Sequence, residues 1–377
     1  MSGTSLDGID AAYVDLTPRG RGYAFDVVRF ATTPFTRETR ARLSAALPPH
    51  APSLAEIAAL DAELGSAFGA AARAVTEDGP LDYVASHGLT LFHDGAARRT
   101  WQIGDPFAIR ECVAATVAYD FRRADCAAGG EGAPLVPYVD ALLFGEAQEM
   151  TVALNLGGIA NLTLVPPGVL PEDVRGWDTG PANILLDAFV LARSAGLETH
   201  DVDGRHALRG AVATDVLEAL LADAYFTQTP PKSTGRELFG EHFLRAHPAL
   251  YELSLEDGCA TLVALSAESI ARDLRRYARG GARVVVSGGG ARNPALLGAL
   301  RERLGRGYDV VVSDAAGVDP DVKEALAFAV LGYELLRGRA AGVPGVTGAR
   351  RPALLGALAP HDLAGLLARV SVETGRV

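Results

Sequence analysis

The chain has 377 residues, 49% hydrophobic and 21% charged, an ordinary globular composition and long enough for two domains, each with its own core. A formal net charge of −11 argues against a general nucleic-acid surface or an anionic-membrane partner, and no apolar run approaches the ~20 residues of a membrane span. Cys112, Cys126 and Cys259 lie far apart without metal-ligand spacing and read as buried, reduced thiols; with no basic segment or long apolar run at the start, a cytoplasmic compartment is expected.

The chain opens on the glycine-rich turn Ser2-Gly3-Thr4-Ser5-Leu6-Asp7-Gly8, from which residues 9–16 read as a strand. Glycine lets backbone N–H groups approach a phosphate with no Cβ in the way, so this turn is a candidate polyphosphate cradle. Asp7 and Asp10 could hold Mg2+ beside a polyphosphate, or could equally stabilise the turn. Ser53-Leu54-Ala55-Glu56 is a capping box and predicts a helix to about Glu77. Short β-prone runs at 83–86 and 116–121, with a helix expected around 107–112 between them, suggest parallel βαβ units. Ser86-His87-Gly88-Leu89-Thr90-Leu91-Phe92-His93 ends the first of these runs. Ligands gather at the carboxyl ends of strands in open α/β sheets, which makes His87 and Thr90 candidate substrate-pocket groups, while His93 fits a structural role nearly as well. A metal is weakly supported there, because no Cys or acidic cluster follows at ligand spacing. The breaker cluster Gly129-Gly130-Glu131-Gly132-Ala133-Pro134 reads as a hinge between domains.

Beyond it the pattern restarts. Residues 151–156 and 159–165 flank Gly157-Gly158, a favoured two-residue hairpin turn. Helices are predicted at 183–194, 212–224 and 255–279. A buried strand at 284–287 then runs into Ser287-Gly288-Gly289-Gly290 and a helix from Pro294. A strand at 310–313 and a helix at 322–337 follow. Both halves read as α/β with a cleft between them. Three separated glycine turns and no Gly-x-x-x-x-Gly-Lys-Ser/Thr point to an ATP site built from hairpins and a helix start rather than a P-loop.

Gly176-Trp177-Asp178-Thr179-Gly180-Pro181-Ala182-Asn183 is the candidate catalytic segment. Phosphoryl transfer is mostly positioning and charge stabilisation, but one rigid carboxylate must take a proton from the nucleophile. Asp178, ahead of a Gly/Pro turn that opens a helix, suits that role; capping the helix near Asn183 is the plainer alternative. Lys232 and Lys323 are the only lysines among the basic residues. Lys232 falls in Pro230-Pro231-Lys232-Ser233-Thr234-Gly235-Arg236-Glu237, which could bind anions or simply start a helix over 237–243. Lys323-Glu324 opens a helix whose first turn could face the cleft, or could be a solvated charge pair.

Together these segments resemble the anhydro-N-acetylmuramic acid kinase family, of the sugar kinase, heat-shock chaperone and actin ATPase superfamily. The matching stretches are 1–10, Thr100-Trp101-Gln102-Ile103-Gly104-Asp105-Pro106, Asp120-Phe121-Arg122, 127–137, 155–162, 178–183, 230–237, 288–293, 323–328 and Val346-Thr347-Gly348-Ala349. The resemblance implies an α/β, two-domain ribonuclease-H-like/actin-like ATPase fold with an interdomain cleft. Residues 1–132, completed by part of 345–377, would form one domain and 133–344 the other. It implies ATP- and Mg2+-dependent hydrolytic opening of the 1,6-anhydro ring and phosphorylation of the 6-oxygen, in a homodimer. Asp178 would be the base that activates water. Gly3, Thr4, Ser5, Leu6, Asp7, Gly8, Ile9 and Asp10 would form the first phosphate loop, with Asp7 a candidate Mg2+ ligand. Gly157 and Gly158 would form the second, and Gly288, Gly289, Gly290 and Asn293 would lie by the nucleotide. His87, Thr90 and Glu324 would contact the amino sugar.

The chain departs from the family pattern in three places. The family has a strand before Met1-Ser2-Gly3-Thr4, so either the start lies upstream or the first sheet is compromised. Leu89 stands where a glutamine is usual, and Ala182 where a second glycine is usual, which is expected to reshape that turn. The competing expectations are another sugar kinase of the superfamily, whose base would deprotonate a substrate hydroxyl, and a nucleotide-driven chaperone or filament subunit.

Overall fold

The computed structural model describes residues 1–3, 6–20, 22–48, 50–77, 79–145, 148–236 and 238–374. By its contacts the chain divides into a first unit, Met1–Leu143 with Pro171–Asp173 and Val322–Val377, and a second, Phe144–Leu170 with Val174–Asp321. The cluster at 129–134, expected as a hinge, lies inside the first unit. Its backbone is stitched down: Gly132 N donates to Asp125 Oδ2 (2.8 Å) and Glu131 N to Thr347 O (2.9 Å).

In the first unit β1 (Gly8–Arg19) and β2 (Gly22–Pro34) form an antiparallel pair. A Cβ on Gly8 would run into Thr33 O, so the close approach of β2 dictates that glycine. The capping box forms as expected: Ser53 Oγ accepts from Glu56 N at 3.1 Å, and the helix runs Leu54–Thr76. Its Gly65 and Gly69 let the helix Pro106–Val113 approach, since a Cβ on Gly69 would sit 2.7 Å from Cys112 Cβ. Cys112 is consequently half-buried, not buried as expected, while Cys126 and Cys259 are buried; all three are free thiols. β3 (Tyr83–Ser86), the unanticipated hairpin of β4 (Leu89–Asp94) and β5 (Arg99–Ile103), and β6 (Thr116–Tyr119) follow. β3 and β6 pair in parallel around the helix Pro106–Val113, which is the expected βαβ unit.

The second unit holds β7 (Thr151–Leu156), β8 (Ile159–Val165), β9 (Arg175–Pro181), β10 (Ala282–Ser287) and β11 (Tyr308–Val312) in one sheet, ordered β11-β10-β7-β8-β9. Counted within the unit the order is 3-2-1-4-5, with only the second strand antiparallel to its neighbours, which is the ribonuclease-H-like arrangement. The helix Leu255–Tyr277 is buried without a break over Gly258–Ala267, its small and apolar middle, while Arg272, Arg275 and Arg276 reach solvent near its end. Ser254 caps it, acidic residues fill its first turn and arginines its last. Truncating a fully buried leucine of that helix such as Leu274 should cost about 2–5 kcal/mol.

The chain then returns to the first unit through the helix Lys323–Leu336 and β12 (Ala357–Ala359), antiparallel to β6. Among the described residues no helix is long and apolar enough to cross a membrane.

Candidate active site

In the second unit both glycine turns follow neighbouring parallel strands. Gly157-Gly158 joins β7 to β8, and Gly288 follows β10, whose Ser287 pairs with Asn155 of β7. Gly288 and Gly290 answer to the protein's own packing. At φ +80° a Cβ on Gly288 would lie 2.5 Å from Asn155 Oδ1, and one on Gly290 2.7 Å from Leu156 Cβ. Gly157, Gly158 and Gly289 have no such reason. A Cβ at any of them would meet nothing nearer than 3.5 Å, and none has a positive φ. The hairpin turn is therefore not of the primed type that its length suggested. Alanine would fit all three positions, at ordinary contact distance beside Gly157 and Gly158 and in open space at Gly289.

The helix Asn183–Arg193 starts against the same turn. The N–H groups of Ala182 and Ile184 donate to Gly158 O and that of Asn183 to Gly157 O, at 2.9–3.1 Å. Those carbonyls are thus engaged by the start of the helix. Ala182, expected to reshape the turn, sits at φ −108° and ψ −93°, outside the regular helix and strand regions, while Gly180 takes a positive φ of +147°. Asn293 caps the helix Pro294–Leu304, its Oδ1 accepting from Ala295 N and Leu296 N, so its amide oxygen is committed within the protein. A short 3-10 turn, Gly289–Arg292, separates that helix from the strand.

Asp178, expected just ahead of the turn that opens the helix, lies on β9, opposite Asn161 and three residues before the strand ends at Pro181. The register shifts between Ala160 and Asn161, so Thr179 is the extra residue of a bulge, the device by which a strand re-aims a side chain. The helix after it is capped at Ala182 with no side-chain bond, which removes the capping alternative for Asp178. The half-buried carboxylate accepts from Thr234 N at 2.9 Å through Oδ2. Its backbone is held on both sides: Asp178 N donates to Lys232 O (3.2 Å) and Tyr225 OH donates to Asp178 O (2.7 Å). Asp178 lies three residues from the strand end that meets the glycine turn, about 10 Å along the sheet at ~3.3 Å per residue.

Lys232, expected as an anion ligand, is buried and pairs with Asp273 at 3.1 Å; Asp273 Oδ2 also accepts from Trp177 Nε1 at 2.8 Å. The helix expected over 237–243 forms instead at Glu241–Ala246, and Glu237 lies outside the described residues. Lys323 is buried against Asp140 at 2.8 Å, which rules out a solvated charge pair for the lysine.

In the first unit the opening turn is partly described, Thr4 and Ser5 lying outside the described residues. Leu6 (φ +57°) and Ile9 point into the core and can offer a ligand only their backbones. Asp7 is exposed and ion-pairs with Arg40 at 3.2 Å; Asp10 Oδ1 accepts from Thr32 Oγ1 at 2.6 Å. His87 is buried in the link between β3 and β4, its ring 4.5 Å from that of Phe328. Arg122 Nε donates to its Nε2 at 2.9 Å, and burial together with that guanidinium holds the imidazole well below its usual pKa. Thr90 on β4 accepts from Gln102 Nε2 at 3.2 Å, whereas Leu89, where the family's glutamine was expected, is fully buried. Glu324 is exposed by surface area, yet the protein around it pushes its carboxyl up, with Arg122 opposing. His93 bonds Thr100 Oγ1 at 3.1 Å, a structural use. A cavity of about 580 Å3 along residues 9–17 and 80–86 is lined by none of Asp178, His87, Thr90 or Glu324. Among the described residues no three His, Cys, Asp or Glu side chains gather as a metal cluster.

The family model for anhydro-N-acetylmuramic acid kinase matches residues 1–361. The anhydro-N-acetylmuramic acid kinase of Streptomyces coelicolor is 44% identical over 367 residues, covering 96% of this chain and 92% of that protein. Its counterpart in Xanthomonas axonopodis pv. citri is 45% identical over 370 residues, covering 96% of each. Among solved structures, a ROK family glucokinase from Streptomyces griseus in complex with glucose and AMPPNP covers 85% of this chain and 98% of its own; at 13% identity and a TM-score of 0.31 that likeness carries no argument. The sequence matches settle the class: this is a phosphotransferase. The chain belongs to the anhydro-N-acetylmuramic acid kinase family.

Proposed function

We propose that the chain opens the 1,6-anhydro ring of anhydro-N-acetylmuramic acid with water and phosphorylates the freed oxygen from ATP, giving N-acetylmuramic acid 6-phosphate and ADP. Asp178 takes a proton from water as its oxygen bonds to the anomeric carbon, while the bond from that carbon to O6 breaks. O6 then attacks the γ-phosphorus, and the bond to the β-phosphate oxygen breaks. The observation that carries the reading is the pairing of one oriented carboxylate with glycine turns at the same end of one sheet. A fixed base supplies proton transfer, and preorganised N–H groups supply charge stabilisation.

The glycine backbone at Gly157 and Gly158 and the open space at Gly289 would suit phosphate oxygens, and residues 3–10 would add a second backbone surface. Mg2+ needs only one or two carboxylates beside a polyphosphate, and Asp7 and Asp10 are the two that the first turn supplies. Of these Asp7 pairs with Arg40 through Oδ1, which leaves Oδ2 to serve. When bound, that ion would neutralise charge on the phosphates. His87, Thr90 and Glu324, all from the first unit, would contact the sugar. A cytoplasmic homodimer completes the proposal.

The test is turnover with ATP, Mg2+ and anhydro-N-acetylmuramic acid in oxygen-18 water, read by mass spectrometry. Label at the anomeric hydroxyl is expected. A phosphorylated sugar with its anhydro ring intact would replace this reading with that of an ordinary sugar kinase.

A further inference from the structure

Asp178 is held by groups that converge on one buried ion pair. Lys232 and Asp273 meet at 3.1 Å with side chains only 2% and 7% exposed. Each partner reaches the strand of Asp178 by its own route. Asp273 Oδ2 accepts from the indole N–H of Trp177, the residue before Asp178. Lys232 gives its carbonyl to Asp178 N–H and sets its ammonium 5.0 Å from the centre of the Tyr225 ring. The hydroxyl of that tyrosine donates to the Asp178 carbonyl. Two residues beyond Lys232, the Thr234 N–H reaches the carboxylate itself.

We propose that Lys232 and Asp273 are positioning residues that fix the direction of the Asp178 carboxylate by anchoring the segment carrying Thr234 N to the strand carrying Asp178. This rests on the reading of Asp178 as the base. An ion pair in a dry site fixes two atoms point to point, whereas an apolar pair of similar volume fills the space without fixing a register. Breaking one partner leaves the other charged and buried, so stability falls too, and stability alone cannot separate the roles. Misplacing a base by an ångström costs turnover far more than it costs ground-state binding.

Four variants are measured beside the wild type: Lys232→Met, the double variant Lys232→Met/Asp273→Leu, Asp273→Asn and Tyr225→Phe, each for thermal midpoint, kcat, and KM for sugar and ATP. Lys232→Met should lose tenfold or more in kcat, with both KM values within about threefold. The double variant should regain the midpoint and keep the low kcat. Asp273→Asn, still able to accept from Trp177, and Tyr225→Phe, which leaves the ion pair intact, should each lower kcat three- to tenfold. They carry the test should Lys232→Met not fold. Recovery of kcat along with stability in the double variant, or wild-type kcat in both milder variants, overturns the clamp. If the wild type itself forms no ring-opened 6-phosphate, the reading of Asp178 fails instead.

Discussion

Arg122 donates through Nε to His87 Nε2 across 2.9 Å, while His87 Nδ1 lies 3.1 Å from Gly88 O. Nε2 must therefore accept, and the single proton sits on Nδ1, where it can reach the Gly88 carbonyl. A second proton would have no acceptor and would face a guanidinium in a buried site, which is why the pKa falls. Held neutral in this way, His87 cannot serve as an acid near neutrality.

Nitrogen-15 spectra of labelled protein should show the Nδ1–H tautomer unchanged from pH 8 to 5.5. A group whose folded pKa is depressed contributes stability above its unfolded pKa, near 6.5, and loses it as the pH falls below. Titration of this ring near pH 6.5 would refute the assignment.

Asp187 has the opposite sign. Burial pushes its carboxyl up to about 6, with His200 pulling it back. Stability from this group is complete below the unfolded value, near 3.8, and declines as the pH rises to about 6. Asp187→Asn should raise stability at pH 7 by about 2 kcal/mol, at 1.36 kcal/mol per pKa unit less what solvent screens, and give no gain at pH 4. Urea denaturation at both pH values checks this.

Asp178→Asn should keep the fold, because an amide oxygen can still accept from Thr234 N. Ring opening should fall by about 10^3-fold or more, since only the proton acceptor is lost, while ATP binding by calorimetry stays within twofold. Near-normal product formation by this variant would remove Asp178 from the base's role.

The glycines make a paired prediction. Gly289→Ala meets no atom within 4 Å and should leave stability within ~0.5 kcal/mol while weakening ATP at least fivefold, because the methyl enters the space left for phosphate. Gly288→Ala, at φ +80° and against Asn155, should cost roughly 2 kcal/mol or more of stability whatever binds. Equal ATP affinity in Gly289→Ala and the wild type would argue against a phosphate there.

Local signals were legible in the sequence wherever neighbours along the chain decide the outcome. The Ser53 cap, the hairpin strands around Gly157-Gly158 and Pro294 as the first residue of its helix all appear where the pattern places them. The parallel pairing of β3 with β6 also followed from strand–helix–strand alternation. What a side chain does once buried was not legible. Lys232 and Lys323 read as surface or ligand cations, because nothing local announces Asp273, 41 positions on, or Asp140, far upstream. The cluster at 129–134 read as a hinge because glycine marks freedom in a sequence; here it marks close approach, with Asp125 and Thr347 pressed against the backbone.

By itself, then, the sequence determined the family and the local elements around its caps and glycine turns, and it singled out Asp178 as a candidate, all carried by residue types at short spacing. The tertiary structure alone decided which glycines serve packing, that Asp178 sits on a strand beside a bulge, and that Lys232 and Asp273 form a buried pair whose partners contact Asp178 and Trp177. Those outcomes depend on distances between segments that meet only after folding, and local patterning carries no record of them.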